Sequence, residues 1–82
     1  MNISVDISYY PLGREHIPPI LEFIERLKSH RQFLVRTNGL STQVFGEFDE
    51  VMDVIKEEIR KSFELPNAVF VIKMVNVDQS AI

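Results

Sequence analysis

The stretch Arg36-Thr-Asn-Gly-Leu-Ser-Thr-Gln-Val-Phe-Gly46 decides how this chain is read. It reads as the end of one strand, a tight turn at Asn38-Gly39 and the strand that follows, because both turn residues tolerate positive φ and the flanks are β-prone. Small polar side chains are concentrated here, in the middle of an otherwise apolar or charged chain. A small molecule held by this protein is therefore expected at this hairpin, with the rest of the chain as its support. Gly46, inside a strand, implies a bulge or the close approach of another backbone or a ligand.

Working outward towards the N-terminus, Phe33-Leu-Val-Arg-Thr37 is the short strand that enters the hairpin. A helix over about residues 15–29 precedes it. Pro18 and Pro19 fit its first turn, where N–H groups have no intrahelical partner. Ile17, Ile20, Leu21, Ile24 and Leu27 form its apolar stripe. Glu22 and Arg26 are placed at i,i+4 on the wet face. Residues 2–10 alternate, with Ile3, Val5, Ile7 and Tyr9 on one side and Ser4, Asp6, Ser8 and Tyr10 on the other, which is the pattern of a half-buried strand. Pro11-Leu-Gly13 ends that strand.

Working towards the C-terminus, the hairpin's second strand covers about residues 41–48. Asp49 is the expected N-cap of a second helix over 50–63. Val51, Ile55, Ile59 and Phe63 recur every four residues along it, with Met52 beside them. Leu65-Pro66-Asn67 breaks this helix, and Ala68-Val-Phe-Val-Ile-Lys-Met-Val75 is a final strand. The order β-α-β-β-α-β with right-handed crossovers gives an α+β fold, the ferredoxin-like plait. It is an antiparallel four-stranded sheet with strands one and three central and both helices on one face.

That arrangement leaves the other face without a cover. Ser4, Asp6, Ser8 and Tyr10 of the first strand lie on it, with Gln43, Phe45 and Glu47 of the third and Val69, Val71, Lys73 and Val75 of the fourth. The valines and Phe45 make an apolar patch too large to leave in water. Packing of two such faces, as a homodimer or a dimer of dimers, is expected, and a ligand between the sheets is compatible with it.

At 82 residues, 45% hydrophobic and 26% charged, the chain has room for one domain, residues 1–82, with one modest core. A net charge of −3 leaves no electrostatic footprint for nucleic acid. The absence of cysteine removes disulfide and thiolate chemistry. The N-terminus lacks the basic and apolar regions of a signal peptide, and no apolar run is long enough to cross a bilayer, so a cytoplasmic location without membrane insertion is expected.

The candidate chemistry is that of a binder. Asp6 and Lys73 face the same side of paired strands. They form either an interfacial ion pair or a site where the carboxylate receives a ligand's amino group. His16 and His30 stand at opposite ends of the first helix and are not spaced as metal ligands. Asp49, Glu50, Asp53, Glu57 and Glu58 read as a solvated acidic helix face, with Glu57–Lys61 as an i,i+4 pair. Ser41 and Thr42 have no histidine nearby in sequence and no nucleophile-elbow turn. No phosphate-binding glycine loop is present. Tyr9, Tyr10 and Phe45 would stack on a flat ring, or simply pack. No nucleophile, base and oxyanion hole come together, so no enzyme activity and no cofactor are expected.

Val5-Asp-Ile-Ser-Tyr-Tyr-Pro-Leu12, Val35 to Gly46 and Ala68-Val-Phe-Val-Ile-Lys73 together resemble the YkoF-like thiamine/hydroxymethylpyrimidine-binding family, and Ile17-Pro-Pro-Ile-Leu-Glu-Phe-Ile24 adds to the likeness. The resemblance covers nearly the whole chain. It implies a ferredoxin-like domain that pairs through its sheets and binds the pyrimidine half of thiamine without catalysis. YkoF-like chains often carry two such domains in tandem, so here the second is expected from another subunit. Asp6 stands where a glutamate, one methylene longer, is expected. An aminopyrimidine needs an apolar slot, an acceptor for its amine and donors for its ring nitrogens. Asp6 would accept, Tyr9, Tyr10 and Phe45 would touch the ring, and Ser8, Asn38, Ser41, Thr42 and Gln43 complete the expected polar set. A purely structural oligomerisation domain and an ACT-like module for another metabolite are the competing readings, since this topology serves many functions.

Overall fold

The computed structural model describes residues 1–13, 17–65 and 67–82. The elements are β1 (Asn2–Pro11), α1 (Ile17–Lys28), β2 (Leu34–Thr37), β3 (Thr42–Glu47), α2 (Phe48–Ser62) and β4 (Ala68–Val75). The four strands form one antiparallel sheet in the order β2-β3-β1-β4, the plait expected from the order of elements. The expected helix positions 15 and 16, including His16, lie outside the described residues, as does Pro66.

The alternation of β1 sends Ile3, Val5, Ile7 and Tyr9 into the core, where Val44 joins them. Phe23 and Leu27 of α1 and Val51 and Ile55 of α2 close over them. The stripe of α1 is rotated from the one expected. Phe23 is 1% exposed, whereas Ile17 and Leu21 are 67% and 55% exposed. Phe23 stands four residues before Leu27, so helical spacing alone contained this alternative. Its ring packs edge-on against Tyr9 and tilted against Phe70, which fixes the rotation.

Other local expectations are corrected. The N-cap of α2 is Glu47, not Asp49: its carboxylate accepts the Asp49 N–H at 2.7 Å, while Asp49 and Glu50 occupy the first turn. Arg26 does not pair along its own helix with Glu22. It crosses to α2, where Nε donates to Glu58 Oε2 at 2.6 Å and Nη2 donates to Ser62 Oγ at 2.8 Å. Glu58 is therefore not on a solvated face. It is 2% exposed, with Lys61 at 3.2 Å and His30 at 3.5 Å as further partners. Glu57 pairs with Arg60 rather than Lys61. Phe63, expected in the α2 stripe, is the C-cap and is exposed.

The hairpin also differs from the tight turn expected. Thr37 pairs with Thr42, so Asn38 to Ser41 all lie in the loop. Neither Asn38 nor Gly39 has positive φ; among the described residues only Asn67 does. The loop is held by the Asn38 side chain, whose Oδ1 accepts from Leu40 N at 2.8 Å and Ser41 N at 3.1 Å. This Asx-type turn does the work that positive φ does in a two-residue turn. Gly46 sits in regular register opposite Ile3. Its role is close approach: a Cβ there would lie 2.6 Å from Phe33 Cδ1 and 3.0 Å from Val51 Cγ2. The approaching groups are core side chains, not a second backbone or a ligand.

Candidate ligand site

The strands differ in length, and that difference makes a notch. β3 pairs with β1 only from Asn2 to Ile7, whereas β4 pairs with β1 as far as Pro11. Ser8, Tyr9 and Tyr10 thus have no β3 partner in the ladder. The Asn38–Ser41 loop stands in that place, and Ile20, Phe23 and Ile24 of α1 lie over it. The result is a cavity of about 230 Å³ between the β1 overhang, the hairpin loop and α1. Its walls are mostly apolar and aromatic, and its polar groups come from Thr37, Asn38, Ser41 and Thr42. Thr37 Oγ1 and Thr42 Oγ1 lie 3.1 Å apart. Tyr9 is a wall residue, and its hydroxyl is buried with no hydrogen-bond partner among the described residues. Leaving such a group unsatisfied costs about 1–3 kcal/mol.

A second, larger cavity of about 730 Å³ lies on the open face of the sheet, with Ser4, Asp6, Gln43, Phe45 and Lys73 on its floor. Asp6 is half-buried. Gln43 Nε2 donates to its Oδ1 at 2.9 Å, and Lys73 Nζ stands 3.7 Å from its Oδ2. Hydrogen bonds from the Ser41 and Gln43 side chains, helped by the charge of Lys73, hold its carboxyl below the usual 3.8 against partial burial. The Arg36 guanidinium lies 5.4 Å from the centre of the Phe45 ring. The C-terminal segment overhangs one end of this face. Ser4 Oγ donates to the Val77 carbonyl and accepts from Gln79 N–H, both at 2.8 Å, and Gln79 and Ile82 reach the cavity.

The residues expected to meet at one site are thus divided by the sheet. Tyr9, Tyr10, Asn38, Ser41 and Thr42 line the notch. Asp6, Gln43 and Phe45 line the open-face cavity, and Ser8 lines neither. Thr42 is 5% exposed and faces the helices, away from Asp6. Sequence reasoning missed Ile20, Phe23 and Ile24 as the notch's roof and Ser4 as the anchor of the C-terminal segment. The helical spacing held a signal for the first three; nothing local could reveal the fourth, whose partners are 73 and 75 residues away. No three His, Asp or Glu side chains converge as metal ligands among the described residues. No described helix is long and apolar enough to cross a membrane.

No protein-family model matches the sequence, and neither does any curated protein. Solved structures do match. A Streptococcus pneumoniae protein superposes with a TM-score of 0.86 at 26% identity, over 100% of this chain and 93% of its own. A proposed thiamine biosynthesis/salvage protein from Thermotoga maritima gives 0.84 at 24% identity, over 94% of this chain and 85% of its own. A hypothetical protein from Methanocaldococcus jannascii gives 0.80 at 22% identity, over 95% and 82%. What this chain shares with them is the fold, along nearly its whole length.

Proposed function

We propose that this chain is a non-catalytic small-molecule binding protein for thiamine or its hydroxymethylpyrimidine moiety, with the pyrimidine ring held in the notch beneath α1. The observation that carries the reading is the notch itself: a partly open, largely aromatic and aliphatic cavity with Tyr9 in its wall, rimmed by hairpin hydroxyls and an amide. Flat heterocycles with a few edge donors and acceptors suit such walls. The resemblance of the β1, hairpin and β4 segments to YkoF-like proteins supports the ligand class, and so does the thiamine-related structural neighbour. Exposed Val69, Val71 and Val75 support pairing of two open faces, which would leave the notch of each subunit on the helix side, away from the sheet–sheet interface.

Calorimetry with hydroxymethylpyrimidine and thiamine tests the reading. Tyr9→Phe removes the orphan hydroxyl, and Thr42→Val keeps the shape but removes a hydroxyl. Each is expected to weaken binding by roughly 5- to 150-fold, the equivalent of about 1–3 kcal/mol. Meanwhile the ligand-free Tyr9→Phe protein should be as stable as wild type or more so. No heat with either compound at millimolar concentration leaves a structural oligomerisation domain as the better reading.

A further inference from the structure

The two edges of the sheet are built differently. β2, at one edge, is 4 residues long and carries Arg36. β4, at the other, is 8 residues long and pairs with β1 in unbroken register, and its only charged side chain is Lys73. Sheet edges are usually guarded by shortness, proline, bulges or several charges. β4 has no proline and no bulge. It is apolar on both faces, which is the composition of a strand covered on both sides. Yet Met74, on the helix side, is 49% exposed and Val71, on the open side, is 54% exposed.

The ladder with β1 fixes which backbone groups of β4 face outward. Pro11, opposite Ala68, has no N–H to give, and the Leu12 N–H donates to the Asn67 carbonyl at 3.0 Å. Pro11–Ala68 is thus a wide pair without mutual hydrogen bonds. Bonded and wide pairs alternate, so the bonded ones are Tyr10–Val69, Ser8–Val71, Asp6–Lys73 and Ser4–Val75. The N–H and C=O groups of Ala68, Phe70, Ile72 and Met74 therefore point to the free edge, where they have no partner among the described residues. The segment after β4 does not cover that edge. It turns inward across the sheet, where Val77 and Gln79 bond to Ser4 of β1.

We infer that this edge is an interface with a second copy of the chain, in which the two β4 strands pair antiparallel about a two-fold axis at Val71 and join two sheets into one. An antiparallel pair of identical strands is self-complementary. Centred on Val71, it sets Phe70 against the second copy's Ile72 and Ala68 against the second copy's Met74, so every outward group gains a partner. Lys73 then meets the second copy's Val69 instead of another lysine, which avoids the cost of like charges directly opposite each other. An unrelated strand would have to match apolar residues on both faces at once; a second copy does so by identity. The edge is separate from the notch and from the open face, so the inference stands apart from the ligand reading.

The test exploits the absence of cysteine. The two Val71 residues form a wide pair, with Cα atoms about 4.5 Å apart, inside the span of about 4.4–6.8 Å that a disulfide bridges. Val71→Cys is expected to give a disulfide-linked dimer on mild oxidation. Val69→Cys is not, because its two copies stand roughly 13 Å apart along the ladder. Met74→Pro removes an N–H that β1 does not use, so the monomer should keep its urea midpoint. In sedimentation equilibrium it should weaken dimerisation roughly ten-fold or more, through the donor lost from each strand. A wild type that stays monomeric at high micromolar concentration overturns the inference. So does Val71→Cys that links no faster than Val69→Cys, or Met74→Pro that dimerises as tightly as wild type, the result expected if only the open faces pair. A monomer whose β4 edge takes up a strand of a different protein overturns it as well.

Discussion

The two faces of the sheet are made by alternate residues of the same strands, yet they meet opposite surroundings. On the helix face Ile3, Val5 and Ile7 are 3%, 1% and 2% exposed. On the open face Val69, Val71 and Val75, no less apolar and of the same β-branched kind, are 42%, 54% and 40% exposed. Strand propensity places both sets in strands but does not distinguish them. The distinction comes from the crossovers, which carry α1 and α2 to one side only. The faces also differ in how they hold charge. Between the helices, Glu58 is enclosed by Arg26, Lys61 and His30. On the open face, the partner of Asp6, the side chain of Lys73, is 80% exposed. The first arrangement locks two helices together; the second is a loosely paired charge at the floor of a cavity.

The largest effect that breaks this symmetry is expected from Ile7→Ala. It removes a fully packed side chain and should cost about 2–5 kcal/mol in urea denaturation. Val71→Ala, on the neighbouring strand but the opposite face, should stay within about 0.5 kcal/mol. Equal losses would mean that the open face is covered in solution.

Next in size is Glu58→Gln, expected to cost roughly 2–3 kcal/mol at pH 7. That is less than the 3–5 of a fully enclosed pair, because Arg26 and Lys61 keep contact with water. The pH dependence sharpens the point. Burial by itself pushes the Glu58 carboxyl up, but hydrogen bonds from Arg26 and Lys61, the charge of Lys61 and contact with His30 hold it below its ordinary 4.5. A depressed folded value means that the contribution is complete above 4.5 and fades as pH falls through the folded value. Wild type should therefore lose stability steeply in the acid range, and Glu58→Gln less steeply. Parallel acid limbs in denaturation series would show that other carboxylates carry that loss.

The smallest effect on stability is expected from Val71→Lys, within about 0.5 kcal/mol for the monomer. If two open faces pair, however, the added charge should convert a dimer into monomers in light scattering. Wild type that runs as a monomer at micromolar concentration would remove the sheet-pairing part of the functional reading.

Much of this was legible because it is local. Period-two alternation in β1 named the residues that enter the core, the order of elements named the topology, and shared strand faces brought Asp6 to Lys73. The hairpin was legible as a hairpin, but its conformation was not. Asn38 uses its side chain rather than positive φ, and Asn-Gly suits either device. In α1 the apolar residues fill more than one stripe, so helical period alone could not choose between Leu21 and Phe23. The contacts of the Phe23 ring with Tyr9 and Phe70, which stack on each other, chose.

The sequence by itself determined which residues form strands and helices and which side of each strand they take, because both follow from spacing along a single element. Only the tertiary structure decided where each element ends against its neighbour. The candidate site follows from that: β1 outruns β3 past Ile7, the notch opens in the gap, and the sheet parts Thr42 from Asp6. It also decided the partners of Arg26, Ser4 and Gln43, since each reaches across elements whose register no local pattern encodes.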